Sequence, residues 1–225
     1  MKSKCFSVLA SVGFGVFLGG PSLALAQISL GAAADFAVLG GAAVTCTRSE
    51  VDGNVGVDLG GAVTQTGCPV SGTVLVGDMA VAQQAYDDSL LAHEALGRVQ
   101  CDVNLTGQSL IGQSLTPGVY CFDTAVTETG GVLTLNGFST DTWVFKIGTS
   151  GVGALTGTNF SVVMPGGKEC DNNVFWWTAH AATLTDSVFA GTILAGHAIT
   201  VTRGNFDGQA LANTAVTLTD TFVCG

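Results

Sequence analysis

Charge is what this sequence has least of. Only 11% of its 225 residues are Asp, Glu, Lys or Arg, against about 25% in ordinary globular chains. Cations are the scarcer half: seven Lys and Arg stand against 17 Asp and Glu, a net charge of −10. This excludes nucleic acid as the natural partner, because a phosphate backbone wants a basic face. It gives no attraction to an anionic membrane surface either. The motifs of common chemistries are also missing. There is no GxSxG, HExxH or P-loop, and no CxxC or CxxH spacing that suggests a metal site. His93, His180 and His197 have no acidic partner at ligand spacing and read as structural or surface residues. A solenoid polysaccharide lyase would need acidic clusters for Ca²⁺ and basic residues for its substrate, and the cations here are few and scattered. The expectation is a non-enzymatic protein without metal or cofactor.

What is present is apolar and small. Hydrophobic residues make up 47% of the chain, too many for disorder. The 32 glycines, together with abundant Thr and Ala, suggest tightly stacked β-structure with a weakly charged surface.

Residues 1–26 read as a secretory signal. Lys2 and Lys4 form the basic start, Phe6 to Gly20 the apolar stretch, and Ala24-Leu25-Ala26 a small-x-small cleavage site. The stretch is short for a membrane span, and no Cys follows the cleavage site as a lipoprotein would require. Cleavage before Gln27 leaves Cys46, Cys68, Cys101, Cys121, Cys170 and Cys224. An even count in an exported chain reads as disulfides. Six cysteines allow 15 connectivities, and sequence does not fix the pairing. The expectation adopted is Cys46–Cys68, Cys101–Cys121 and Cys170–Cys224. Asn104-Leu105-Thr106 and Asn159-Phe160-Ser161 are glycosylation sequons, meaningful only in a eukaryotic secretory route.

One segment reads as helix, about 78–97. Asp78 is its N-cap and Gly97 its C-terminal stop, and Ala82, Ala85, Ser89, Ala92 and Leu96 form a narrow stripe of small residues suited to close packing on a sheet. Nearly everything else reads as short strands of Val, Leu, Ile, Phe and Thr broken by Gly, Asn and Asp. The last 45 residues repeat with a period of 17: Ala181 to His197, Ala198 to Thr214, and a third copy opening at Ala215. In this alignment Phe189 falls on Phe206, Leu194 on Leu211 and Ala195 on Ala212. A fixed short period of strands is the signature of a β-solenoid.

Strand alternation then sorts the side chains. Ala182, Leu184, Ile199, Val201, Val216 and Leu218 point inward. Thr183, Thr185, Thr200, Thr202, Thr217 and Thr219 point outward, with Thr156 and Thr158 as an extension. A second outward row is read along Lys146, Trp177, Ala195 and Ala212, continuing toward Thr149, His180, His197 and Thr214, with Ala42 on the same face. Trp143 and Trp176 read as core. Trp177 stays open as a sugar-stacking candidate.

The sequence resembles the microbial ice-binding (antifreeze) proteins with a helix-flanked β-solenoid. Six elements carry the resemblance, in the family's order. They are Leu30 to Leu39, Val51-Asp52-Gly53-Asn54-Val55-Gly56-Val57 with Gly60 to Thr64, the helix with Ala85-Tyr86-Asp87-Asp88, the specific Leu115-Thr116-Pro117-Gly118-Val119-Tyr120-Cys121-Phe122, the strands Trp143 to Ile147 and Asn173 to Trp177, and Gly208 to Ala212. The resemblance implies a mainly β, right-handed, triangular, discontinuous solenoid whose turns do not all stack in sequence order, with one long α-helix along a face. It implies an irregular cap or insertion near residues 45–76. It implies a secreted monomer in which residues 27–225 form a single domain that adsorbs to ice through a flat Thr/Ser/Ala-rich face. The Thr156–Thr219 row is the first candidate face and the Ala42–Thr214 row the alternative. A secreted adhesive or carbohydrate-binding solenoid is the competing class.

Overall fold

The computed structural model describes residues 28–76, 80–165, 170 and 172–225. The expected signal sequence, the start at Gln27 and the Asp78 cap lie outside these residues. The described chain is a three-sided stack of parallel strands with one helix laid along it. Every strand pairing is parallel.

The first side is a nine-stranded sheet, in spatial order Val74–Leu75, Asn54–Val57, Phe36–Gly40, Ala210–Ala212, Thr192–Ala195, Val174–Thr178, Trp143–Ile147, Gly118–Phe122 and Val103–Asn104. The other two sides belong to one bent sheet, in order Ala62–Thr66, Ala43–Thr47, Ala215–Cys224, Ile199–Asp207, Ala182–Thr185, Leu155–Val163, Val126–Leu135 and Ser114–Leu115, with Glu50–Asp52 and Val188–Ala190 alongside. Its long strands cross a corner halfway, so their first halves form one side and their second halves another.

The stacking is discontinuous, as the resemblance implied. Ala215–Cys224 closes the chain by pairing with Ala43–Thr47 near its start, while Val38–Gly40 takes Ala210–Ala212 on its edge. Residues 45–76, expected as an irregular cap or insertion, lie at one end of the stack but are built as solenoid. Ala43–Thr47 and Ala62–Thr66 are in residue-for-residue register, and Val70 bridges Val51.

Interior side chains stack as the turns do. Tyr120, Phe145, Trp176, Phe189 and Phe206 form a file of rings with successive centroids 5.6, 4.0, 4.9 and 5.7 Å apart. Offset aromatic contacts in this range add to the burial term. Disulfides join Cys46–Cys68, Cys101–Cys121 and Cys170–Cys224, the expected pairing.

Helix α1 (Ala80–Arg98) lies on the first sheet. Its buried residues are Ala82, Ala85, Ser89, Ala92 and Leu96, the predicted small-residue stripe. They pack on Leu39, Val144, Phe175, Leu194 and Leu211. The Tyr86 hydroxyl donates to the Asn213 carbonyl (2.9 Å). The Gln209 amide donates to the carbonyls of Ala33, Ala34 and Phe36, fastening the short 3₁₀ turn Gly31–Asp35 to the sheet. Gly97 does not stop the helix, which runs through it to Arg98. At Gly97 the helix passes beside the Trp177 indole with room for an ordinary Cβ contact.

Candidate functional site

The second side is where the sequence repeats most regularly. Strand pairing places Thr127, Thr156, Thr183, Thr200, Thr217, Thr45 and Thr64 side by side in that order. Two residues on, Thr129, Thr158, Thr185, Thr202, Thr219, Thr47 and Thr66 form a second row in the same order. The residues between them point inward: Leu184, Val201 and Leu218 are buried core, and Glu128 turns in to accept hydrogen bonds from the Ser109 hydroxyl (2.6 Å) and the Leu110 N–H (2.7 Å). No charged side chain therefore belongs to either row.

All eight threonines of the first candidate face lie in this array. Thr45, Thr47, Thr64, Thr66, Thr127 and Thr129 extend it and were missed. Their signal is a motif and not a period. Each turn reads Ala-x-Thr-x-Thr, beginning at Ala43, Ala62, Ala125, Ala154, Ala181, Ala198 and Ala215. Turns are about 4.8 Å apart and rows about 6.6 Å apart, so seven rungs make a plane roughly 29 Å long. The β-branched side chain has few χ1 states to lose when it is fixed.

The plane has two borders. On one side the residue after each Thr-x-Thr sits at the corner with positive φ. The corner residues are Gly67, Arg48, Asp220, Arg203, Asp186, Asn159 and Gly130 in stacking order. Arg48 forks onto Asp220 (Nε–Oδ1 2.7 Å, Nη2–Oδ2 2.8 Å) and Arg203 onto Asp186 (2.7 and 2.9 Å). These guanidiniums hold the Asp220 and Asp186 carboxyls below the usual carboxylate range. On the other border stand His180, His197, Thr214 and Ala42, joined by backbone hydrogen bonds from turn to turn. The rings of His180 and His197 stack with centroids 4.6 Å apart. Thr149 lies exposed on the same end of its strand, its hydroxyl donating to Asp123 (2.8 Å).

The alternative row is divided: Ala42, Thr149, His180, His197 and Thr214 lie at the surface, whereas Trp177, Ala195 and Ala212 share no outer face with them. Trp177 pairs with Leu194 and not with Ala195, which pairs with Thr178. Ala195 and Ala212 are buried in the solenoid core. Lys146, Trp177, Leu194 and Leu211 point the other way, under the helix. The row was one residue out of register, and in a strand one residue reverses the face. Lys146 is 4% exposed and donates to the carbonyls of Gly97 (2.9 Å) and Val99 (2.6 Å) at the helix end, a favourable place for a cation. Burial nevertheless pushes its ammonium pKa below the ordinary value. Trp143 and Trp176 are fully buried, as expected. Of the sequons, the Asn104 amide donates to Asp123 (3.2 Å) and Asn159 occupies the positive-φ corner.

A sequence profile described as ice-binding-like matches residues 38–224. The chain belongs to this family. It is 39% identical over 202 residues to an ice-binding protein of Nostoc sp. (strain HG1), covering 87% of this chain and 71% of the relative. The crystal structure of an ice-binding protein from the Antarctic ascomycete Antarctomyces psychrotrophicus superposes with a TM-score of 0.76 at 31% identity, over 87% of this chain and 97% of that one. An ice-binding protein from an Antarctic biological consortium superposes with a TM-score of 0.77 at 26% identity, over 98% of this chain and 96% of the other.

Proposed function

We propose that this chain is a secreted, monomeric ice-binding protein that adsorbs to ice through the two-row threonine plane, producing thermal hysteresis and inhibiting recrystallisation. The observation that carries the reading is the unbroken register of Thr-x-Thr through seven turns in a chain of the ice-binding-like family.

Ice is a periodic solid, so each contact with it is weak and many must be made at once. A rigid repeating plane supplies them without ordering a new surface at the moment of adsorption. Each threonine offers a hydroxyl that can join a water lattice and a methyl that orders the water beside it. A strongly hydrated ion on the plane would compete for that water, and the rows carry none. The chemistry requires no cofactor and no reacting group. Secretion is supported by the leader-like residues 1–26 and by three disulfides, which persist in oxidising compartments. The competing sugar-binding class loses its aromatic platform, because Trp177 lies against α1 with its indole N–H donated to the His93 carbonyl.

Thr200 stands on the middle rung. Thr200→Tyr is expected to remove most of the thermal hysteresis and recrystallisation inhibition while leaving the circular dichroism spectrum and Tm unchanged. Full activity in a folded Thr200→Tyr protein would sink the reading. A glycan pull-down alongside a splat assay separates the competing class.

A further inference from the structure

The corner beside the second threonine row carries two residues, Arg48 and Arg203, that its backbone does not favour. Among the described residues, six non-glycine positions have positive φ, and five of them are in this one corner: Arg48, Asn159, Asp186, Arg203 and Asp220. Asn and Asp tolerate the left-handed region, whereas Arg gains nothing from it and Gly would be free of strain. The outer positions of the same corner use Gly67, Gly130 and Asn159. The second to fifth positions, counted from Gly67, alternate Arg48, Asp220, Arg203, Asp186, two cations taken from a chain that has only seven.

Stability does not explain them. The side chains are 56–64% exposed at the arginines and 37% at the aspartates, and exposed ion pairs contribute little to folding. Their position is more informative. They directly follow Thr47, Thr219, Thr202 and Thr185, so they border four successive interior rungs of the plane and neither terminal rung. Both pairs are bidentate and run between adjacent turns, parallel to the rows.

We propose that the Arg48–Asp220–Arg203–Asp186 ladder is a positioning device for ice adsorption: it borders the threonine plane with charges that cancel one another, so that no free ion orients water at the rim. The proposal rests on the reading of the threonine plane as the ice-adsorbing surface. A lone charge orients the water around it radially, and its field reaches about a Debye length, roughly 8 Å at physiological salt, which covers the adjacent threonine row about 3.3 Å away along the strand. A forked pair confines its field to its own neighbourhood. Beyond the ladder, water is then free to follow the periodic rows.

Charge balance makes a prediction that a structural clamp does not. Asp186→Asn alone leaves Arg203 without its forked partner, and Arg203→Asn alone does the same to Asp186. Each is expected to lower thermal hysteresis about twofold with Tm unchanged. The double variant Asp186→Asn/Arg203→Asn restores neutrality with two residues suited to the corner, and it is expected to return most of the activity. Glu94→Gln, which strips Arg98 of its partner on the far side of α1, is the control for net charge and should match wild type. Equal loss in both singles and the double would show a geometric role and overturn the proposal. So would wild-type activity in both singles. An inert Thr200→Tyr in the same assay would remove the plane itself and the ladder's role with it, whereas a damaging Thr200→Tyr beside inert ladder variants sinks the ladder alone.

Discussion

Trp177 and His93 hold each other twice. The indole N–H donates to the His93 carbonyl at 2.9 Å, and the His93 ring stacks on the indole with centroids 5.1 Å apart. The same imidazole meets the Thr178 carbonyl through Nε2 at 3.1 Å. A carbonyl only accepts, so Nε2 carries the proton. The arrangement pins the last turns of α1 to the strand Val174–Thr178, on the opposite side of the solenoid wall from the interior aromatic file.

This clip predicts a pH dependence of stability. Burial is the larger influence on His93 and lowers its pKa from the ordinary 6.5; the Thr178 carbonyl recovers part of the shift. The unfolded chain therefore takes up the proton first as pH falls, and stability rises with pH in that window. The contribution is complete above about 6.5 and is lost as pH falls toward the folded value, at about 1.4 kcal/mol per pKa unit of depression. Melting curves between pH 8 and pH 5 should slope downward with acid, and His93→Gln should flatten that part of the slope. Identical slopes in the two proteins would contradict this role for His93.

Lys146 separates fold from function. Its ammonium satisfies two carbonyls at the end of α1, and Lys146→Met strands both. A hydrogen bond to a charged group contributes about 1.5–3 kcal/mol, and each kcal/mol moves Tm by about 2–4 °C in a domain of this size. Calorimetry should therefore show a clear drop in Tm. Ice activity near 0 °C should be unchanged, because Lys146 faces the helix and not the threonine plane.

The contrast between Lys146 and Thr183 also shows what could be read from sequence. On the threonine side one face is wet, so apolar and polar residues alternate and the orientations of Ala182, Thr183, Leu184 and Thr185 followed directly. The helix-covered strands have no such alternation: Trp143–Ile147 and Thr192–Ala195 are buried at every position. Strands covered on both faces read as continuous apolar runs, and nothing in them fixed whether Ala195 or Leu194 faced inward. Distance along the chain hid the rest. The period of 17 holds only where turns follow one another without insertions. Thr127 precedes a long excursion, and Thr45 and Thr64 are cut off from the repeat by α1 and rejoin it only because the chain's last strand stacks on its first turns. The positive-φ corner had no composition signal, since Gly, Asn, Asp and Arg all occupy it.

The opposite corner predicts a severe lesion. Gly191 and Gly208 adopt φ of 120° and 147° where the third side turns into the helix-covered sheet, and the Gly191 N–H donates to the Asp207 carbonyl one turn away (2.9 Å). A Cβ on Gly208 would collide with the Gly191 carbonyl, a backbone atom that cannot swing aside. Gly208→Ala combines that clash with a backbone conformation that L-residues avoid, each costing about 1–3 kcal/mol. Chemical denaturation should report a loss of several kcal/mol, or the protein should fail to accumulate. A near-neutral Gly208→Ala would mean that the turns can part without penalty.

Rung position should matter as much as rung identity. Thr200 is the fourth of seven rungs and Thr64 the last. A tyrosine at Thr200 leaves three intact rungs on each side, too far apart to act as one plane because the ring stands between them. A tyrosine at Thr64 leaves six contiguous rungs. If adsorption strength grows with the number of threonines held in register, Thr64→Tyr should keep most of the hysteresis that Thr200→Tyr loses, and Thr217→Tyr, on the fifth rung, should fall between them. The three proteins should melt alike, since each substitution is on the wet face. Equal damage at Thr64 and Thr200 would mean that the end of the stack is itself the adsorbing surface. No damage at Thr64 together with full loss at Thr217 would confine the working plane to the repeating turns, leaving the Ala62–Thr66 strand as a structural end.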